Sequence, residues 1–358
     1  MKRPQGEDPA GLGFRMPAEW EPHAATWIAW PHQRSDWPGK FEPIPWVYGE
    51  VVRHLIPGER VRILVKSEPH EKSARKILQR VGVDAARVEF LRVPTDRSWT
   101  RDFCPLFVRD RDGEVAITNW KFNGWAKYPN HKLDDAVPDL LARKLKRRQW
   151  KPVTLVKNKS RRLVLEGGSI DVNGRGTLLT TEECLLSPVQ ARNPGVSKEG
   201  LEQALGAYLG IKKVLWLGEG IVGDDTHGHV DDLARFVDAR TVVVCVEDDP
   251  LDDNFYRLRE NARRLEHMTD QDGNPLRVLP LRMPAPVTLD GQRLPASYAN
   301  FYIGNAAVLV PTFNDPNDRR AIALLTDVFP GKRVVGIHAL DLVWGLGTLH
   351  CMTQQEPA

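Results

Sequence analysis

The chain has 358 residues, 41% of them hydrophobic and 27% charged, with a formal net charge of +3. It is long enough to bury a large core, as one domain or two, but no apolar run reaches the roughly 18 residues that span a bilayer, and the N-terminus MKRPQGEDPAGLGF lacks the apolar stretch of a secretory signal. Four cysteines, Cys104, Cys184, Cys245 and Cys351, are too sparse for a disulfide framework and form no C-x-x-C pair, so a reducing, cytoplasmic setting is expected.

Residues 1–14 are expected to form a flexible N-terminal segment, followed by a single domain over 15–358. Nine of the eleven tryptophans fall in the first 150 residues. Most should fill core, although tryptophan faces also attract cations and can wall a pocket for one. Four segments share one local pattern, an amphipathic helix, a glycine stop and a β-rich run: VYGEVVRHLIPGERVRILV (48–65), EKSARKILQRVGVDAARVEFLRV (71–93), KEGLEQALGAYLGIKKVLWL (198–217) and RRAIALLTDVFPGKRVVGI (319–337). This predicts an α/β fold in which helices feed strands.

A polar cluster followed by a strand recurs at EPHAATWIAWP, TRDFCPLFV, LEGGSIDVNGRGTLLTT, HVDDLARFVDARTVVVCV and NFYIGNAAVLVP. The intervals, roughly 65–80 residues, approach the size of one supersecondary unit. Five such units favour an internally repeated, propeller-like single domain over a doubly wound sheet. Neither G-x-G-x-x-G after a strand nor a P-loop is present, which removes support for the common nucleotide folds. Proline-rich connectors such as 283–295 read as surface loops between units. Positions 143–162 carry ten Lys or Arg and no acid, so the remainder of the chain is net acidic, which suits a cationic ligand. The basic run lacks a nucleic-acid-binding motif and reads as a solvated helix-loop face.

Titratable residues gather in four places: Trp99-Thr100-Arg101-Asp102, Glu166-Gly167-Gly168, His227-Gly228-His229-Val230-Asp231-Asp232, and GLGTLHCMTQQ (345–355), where Gly345 and Gly347 permit close backbone approach before His350 and Cys351. Each has a plain alternative. Cys351 alone would be a buried structural thiol, Asp102 half of a surface ion pair, Glu166 a solvated turn residue and His229 a core histidine. The H-x-H-x-D cluster also resembles a metal site, but the later histidines, His267, His338 and His350, occupy no ligand motif, so no metal is expected. A guanidinium group explains the set together. Its planar cation needs carboxylates that accept paired hydrogen bonds, which Asp102, Asp231 and Glu166 supply. The thiolate of Cys351 could add to the central carbon, and His229 could protonate the departing ammonia and then activate water.

These clusters, in this order, resemble the agmatine deiminase family, relatives of the Porphyromonas-type peptidylarginine deiminases within the guanidino-group-modifying, or pentein, superfamily. The likeness runs from MPAEWEPHAATWIAWPH through SWTRDFCPLFV, KFNGWAKYPN, LEGGSIDVNGRGTLLTTEECLL, GDDTHGHVDD and SYANFYIGNAAVLVPTFNDPND to GTLHCMTQQ. The resemblance implies a five-bladed pseudo-symmetric α/β propeller with the site on its axis. It also implies cofactor-free hydrolysis of agmatine to N-carbamoylputrescine and ammonia. Matched by motif, Cys351 is the nucleophile, His229 and Asp231 are the G-H-x-D pair, Glu166 belongs to L-E-G-G and Asp102 to W-x-R-D. Trp99 and Trp125 would flank the aliphatic part of the substrate. Peptidyl-arginine or free arginine is the nearest alternative substrate, no nucleic-acid or membrane partner is implied, and relatives suggest a homodimer. Phe103-Cys104 after W-T-R-D, and Leu346 and Thr348 before the nucleophile, depart from the usual family residues.

Overall fold

Every one of the four helix-glycine-strand segments is present in the computed structural model, which describes residues 8–358. The helices are Ile44–Leu55, Glu68–Arg80, Lys198–Leu209 and Asn317–Val328, and they lead into the strands Arg60–Val65, Val88–Arg92, Lys213–Leu217 and Arg333–His338. Gly210 shows how the stop works. Its φ of +72° is left-handed, and its N–H reaches back to the carbonyls of Leu205 and Gly206, closing the last turn before the chain turns into a strand. Two further helices of the same kind, Lys132–Leu145 and Phe255–Glu266, lack that signal in the sequence. The first is capped by Lys146 in the left-handed region and the second ends at His267, so neither shows a glycine stop.

Strand pairing makes the repeat explicit. Leu106–Arg109 pairs antiparallel with Val115–Thr118, and the chain then crosses through Lys132–Leu145 to Gln149–Trp150, which runs parallel to the second strand. Asp171–Val172, Thr177–Thr181 and Lys213–Leu217 repeat this arrangement, as do Ala234–Phe236, Thr241–Val246 and Arg277–Arg282. Tyr302–Ile303, Ala307–Thr312 and Arg333–His338 form a fourth unit. In the remaining unit the antiparallel partner of His23–Ala29 is the C-terminal strand Gln354–Pro357, while Arg60–Val65 and then Val88–Arg92 add in parallel. The two ends of the chain thus complete one blade together. Middle strands such as Thr177–Thr181 and Val115–Thr118 are buried along their whole length, as expected when helices and neighbouring blades cover both faces.

Neighbouring units pack in sequence. The helix Phe255–Glu266 lies against Lys213–Leu217, Asn317–Val328 against Arg277–Arg282, Ile44–Leu55 against Ala307–Thr312, and Gln354–Pro357 against Leu106–Arg109. The ring closes as a five-bladed α/β propeller. Its largest apolar cluster runs through most of the blades, and a second, containing Phe14, Leu106, Leu178 and Trp216, fills the blades that begin at Leu106 and Asp171.

Of the expected flexible segment, residues 1–7 lie outside the described residues, and Ala10–Leu12 form a 3-10 turn that leads into buried Phe14. The basic run 143–162 covers the end of one helix, the short strand Gln149–Trp150 and a hairpin of Val153–Val156 with Lys159–Arg162. Among the described residues, no helix is long and apolar enough to cross a membrane.

A short turn precedes the innermost strand of each blade: Thr100–Phe103, Gly167–Ser169, Val230–Asp232, Tyr298–Asn300, and the loop carrying residues 347–353 ahead of Gln354–Pro357. Successive turns touch one another, and the Arg101 N–H donates to the Cys351 carbonyl while the His350 N–H donates to that of Asn300. The five turns therefore ring the axis.

Candidate active site

Each axial turn contributes a buried polar side chain, giving Asp102, Glu166, His229 with Asp231, Asn300 and Cys351. All five residues singled out by the sequence for chemistry meet in one place. His229 Nδ1 stands 3.9 Å from Asp102 Oδ1 and 3.9 Å from Asp231 Oδ1, while its Nε2 faces Glu166 Oε2 at 3.9 Å. The Cys351 sulfur is 3.8 Å from Asp231 Oδ2. Glu166 Oε2, His229 Nε2 and Asp231 Oδ1 are buried without a hydrogen-bond partner in the protein.

Two glycines make the crowding feasible. A Cβ on Gly168 would lie 2.6 Å from His229 Nδ1, 2.9 Å from Asp102 Oδ1 and 3.0 Å from Asp231 Oδ2, so any side chain there would push into three of these groups. A Cβ on Gly347 would come within 3.2 Å of the Cys351 sulfur and 3.0 Å of the Trp99 ring.

The electrostatics follow from burial and proximity. Burial, reinforced by Asp231 and Glu166 and only partly offset by His229, lifts Asp102 to a pKa of about 6. For Glu166 burial works the same way, but Arg192, whose Nε donates to Oε1 at 3.1 Å, together with His229 holds it at about 2. Burial opposes the charged form of His229, yet Asp102, Cys184 and Glu166 outweigh it and raise its pKa well above the usual value. The Cys351 thiol is pushed well above its ordinary value by burial and then by the carboxylates of Asp231, Asp232 and Asp102. A planar cation among these groups would pair with the carboxylates and lower the cost of forming the thiolate.

The cavity that reaches Cys351 and Asp102 has a volume of about 320 Å³, and Asp36, Arg97, Trp99, Trp125, Tyr128 and Leu346 form much of its wall. Trp125 does more than line it: its Nε1–H donates to Asp102 Oδ2 at 2.9 Å. Trp99 is backed by Trp37, with ring centroids 5.3 Å apart.

Several residues of the site were not singled out from sequence. Asn300 Nδ2–H donates to the Cys351 sulfur at 3.1 Å and to Asp232 Oδ1 at 3.0 Å. His350, set aside as a metal ligand, stands between Asp231 Oδ2 and Glu19 Oε2, 2.7 Å from each, and Glu19 is itself held by Arg101 and Arg235 at 3.2 and 2.9 Å. Arg192 braces Glu166. Asn300 was legible in principle, because it ends the turn that occupies the same place in its blade as Asp102 does in another.

The H-x-H-x-D cluster does not converge. His227 Nε2 lies 3.1 Å from the Ser187 hydroxyl and Nδ1 3.7 Å from Glu183, whereas His229 faces the axial carboxylates. Among the described residues, the groups able to hold a metal are Glu166, Cys184 and His229, and Asp231, Asp232 and Cys351.

Comparison with known proteins agrees with this geometry. The family model for the Porphyromonas-type peptidyl-arginine deiminases matches residues 15–357. The agmatine deiminase of Ectopseudomonas mendocina is 35% identical over 373 aligned positions that cover 98% of this chain and 97% of the relative. Among solved structures, an Enterococcus faecalis agmatine deiminase described as catalysing its reaction superposes with a TM-score of 0.89 at 34% identity, covering 100% of this chain and 99% of the other. A cysteine-to-serine variant of the C. jejuni agmatine deiminase with substrate bound superposes with a TM-score of 0.83 at 29% identity, covering 96% of each chain. With the axial site and the five-bladed ring in place, the chain belongs to the Porphyromonas-type peptidyl-arginine deiminase family.

Proposed function

We propose that the protein hydrolyses agmatine to N-carbamoylputrescine and ammonia through a covalent amidino adduct on Cys351, with no metal or other cofactor. The observation that carries this reading is the convergence of Asp102 and Asp231 on His229, with Asp231 also 3.8 Å from the Cys351 sulfur and its Oδ1 buried and unpartnered. Asp102 and Asp231 accept the guanidinium N–H groups, the Cys351 thiol loses its proton to solvent as the cation binds, and the resulting thiolate adds to the central carbon. His229, charged in this environment, gives its proton to the departing nitrogen, which leaves as ammonia. A water then attacks the amidino carbon, His229 takes its proton, and collapse of the adduct releases the ureido product and returns the sulfur. Glu166 keeps the imidazole ring charged and oriented.

The cavity wall favours agmatine over arginine. Asp36, whose Oδ2 is buried without a hydrogen-bond partner, lines it together with Asp225, which already holds Lys127 and Tyr128, and the Arg97 guanidinium that could receive an α-carboxylate is paired with Asp36 Oδ1 at 2.6 Å. A terminal ammonium therefore finds acceptors where a carboxylate meets repulsion. The same reading places the enzyme in the cytoplasm, in arginine-to-polyamine metabolism. Ureido-product formation from agmatine, arginine and a peptidyl-arginine, with EDTA present, tests it. Turnover of agmatine is expected at the highest kcat/KM, and preference for either arginine substrate contradicts the assignment.

A further inference from the structure

His229 presents its two ring nitrogens to different surroundings. Nδ1 faces Asp102 and Asp231 beside the thiol, but Nε2 points to the other side, where Glu166 Oε2 is 3.9 Å away and Cys184 completes a buried trio. One ligand atom from each of Glu166, Cys184 and His229 lies within 4.8 Å of the other two. Cys184 forms no bond in the reaction described above, although it helps hold His229 in its charged form. Glu166 Oε2 and His229 Nε2 are both buried without a hydrogen-bond partner, so Glu166 has free lone-pair capacity directed into this small space and His229 gains it once Nε2 loses its proton.

A carboxylate oxygen, an imidazole nitrogen and a thiol sulfur are a donor set suited to zinc-like cations. We propose that Glu166, Cys184 and His229 form a site for a thiophilic divalent cation of the zinc class, whose occupancy withdraws His229 and reversibly switches the enzyme off. Tetrahedral coordination at bond lengths of about 2.0–2.3 Å sets ligand atoms roughly 3.5 Å apart, so the trio needs to contract by only about 1 Å. On binding, Cys184 releases its thiol proton and His229 its Nε2 proton to solvent, so that a thiolate and the Nε2 lone pair face the ion. One carboxylate and one thiolate then balance the two charges of the ion, and a water fills the fourth position. Arg192 stays on the other oxygen of Glu166, Oε1, at 3.1 Å, as an outer support.

The inhibitory consequence rests on the role proposed for His229, whereas the binding itself does not, and the test separates them. Cobalt(II) is titrated into EDTA-treated, buffer-exchanged full-length protein and into the variants Cys351→Ala, Cys184→Ala and Cys184→Ser, with near-ultraviolet circular dichroism confirming the fold of each. The expected result is a sulfur-to-cobalt charge-transfer band with intense tetrahedral visible bands in the wild type and in Cys351→Ala. Both features should disappear in the two Cys184 variants. In parallel, the zinc concentration that halves turnover, measured for each active protein against its own metal-free rate, should rise at least tenfold when Cys184 is replaced. Bands that survive in the Cys184 variants but vanish with Cys351→Ala would assign the metal to Asp231, Asp232 and Cys351 instead and overturn the proposal, as would the absence of any tetrahedral spectrum. If no guanidino substrate turns over, the spectra still decide the site.

Discussion

Asn300 grips the nucleophile and its loop at once: Nδ2–H donates to the Cys351 sulfur at 3.1 Å, while Oδ1 accepts the Thr348 hydroxyl at 2.7 Å and the His350 N–H at 3.0 Å. A donor on the sulfur matters most when the sulfur is charged, since hydrogen bonds to ionised groups are the stronger kind. Replacing Asn300 with Ala should lower kcat on the order of 10- to 100-fold, from a loss of about 1.5–3 kcal/mol. Asn300→Asp, which adds a further carboxylate beside Asp232, should be worse. Steady-state assays on both variants check the order.

Much of this was legible before any coordinates. The glycine stops marked four helix-strand junctions, and at two of them Gly82 and Gly210 adopt the left-handed backbone that ends the helix, while the motif spacing placed Asp102, Glu166, His229, Asp231 and Cys351 together. What stayed hidden depends on distance in sequence. Nothing local pairs Glu19 with His350, 331 positions apart, or marks Arg192 as the counter-ion of a buried Glu166. Trp125 was expected only as a wall, and its indole N–H on Asp102 is a property of the folded turn that follows Gly124.

The acid limb of kcat/KM should be set by Asp102. Its pKa is raised to about 6, so below that pH it takes up a proton, loses its charge and no longer pairs with the guanidinium. The rate should fall on the acid side of about pH 6. Trp125→Phe removes a donor that favours the ionised form, and the limb should move to higher pH. A pH profile of both proteins reads the shift, and an unmoved limb would detach it from Asp102.

Gly168→Ala is expected to cripple the site with modest harm to the fold. The added methyl must displace His229, Asp102 or Asp231 from its present place. A loss of kcat/KM of at least about 100-fold is expected from misplacing the groups, against a stability cost of about 1–3 kcal/mol. Activity and urea unfolding on the same preparation separate the two effects.

Arg192→Met should destabilise the protein strongly, because it strands the Glu166 carboxylate in a buried position. Removing one partner of such a pair costs on the order of 3–5 kcal/mol, and adding Glu166→Gln should recover part of it. In the wild type, Glu166 is depressed from 4.5 to about 2, so its contribution is fully present above pH 4.5 and is lost as the pH falls toward 2. Urea unfolding of the single and double variants at neutral pH measures the coupling.

The central claim is that Cys351 becomes covalently attached to the guanidino carbon. Enzyme mixed with agmatine, quenched in acid within one turnover and digested, should show an amidino adduct on the peptide that contains Cys351, and Cys351→Ser should show neither adduct nor product. Ureido product formed by Cys351→Ser at the wild-type rate, or wild-type turnover with no adduct on that peptide at any quench time, would contradict the account.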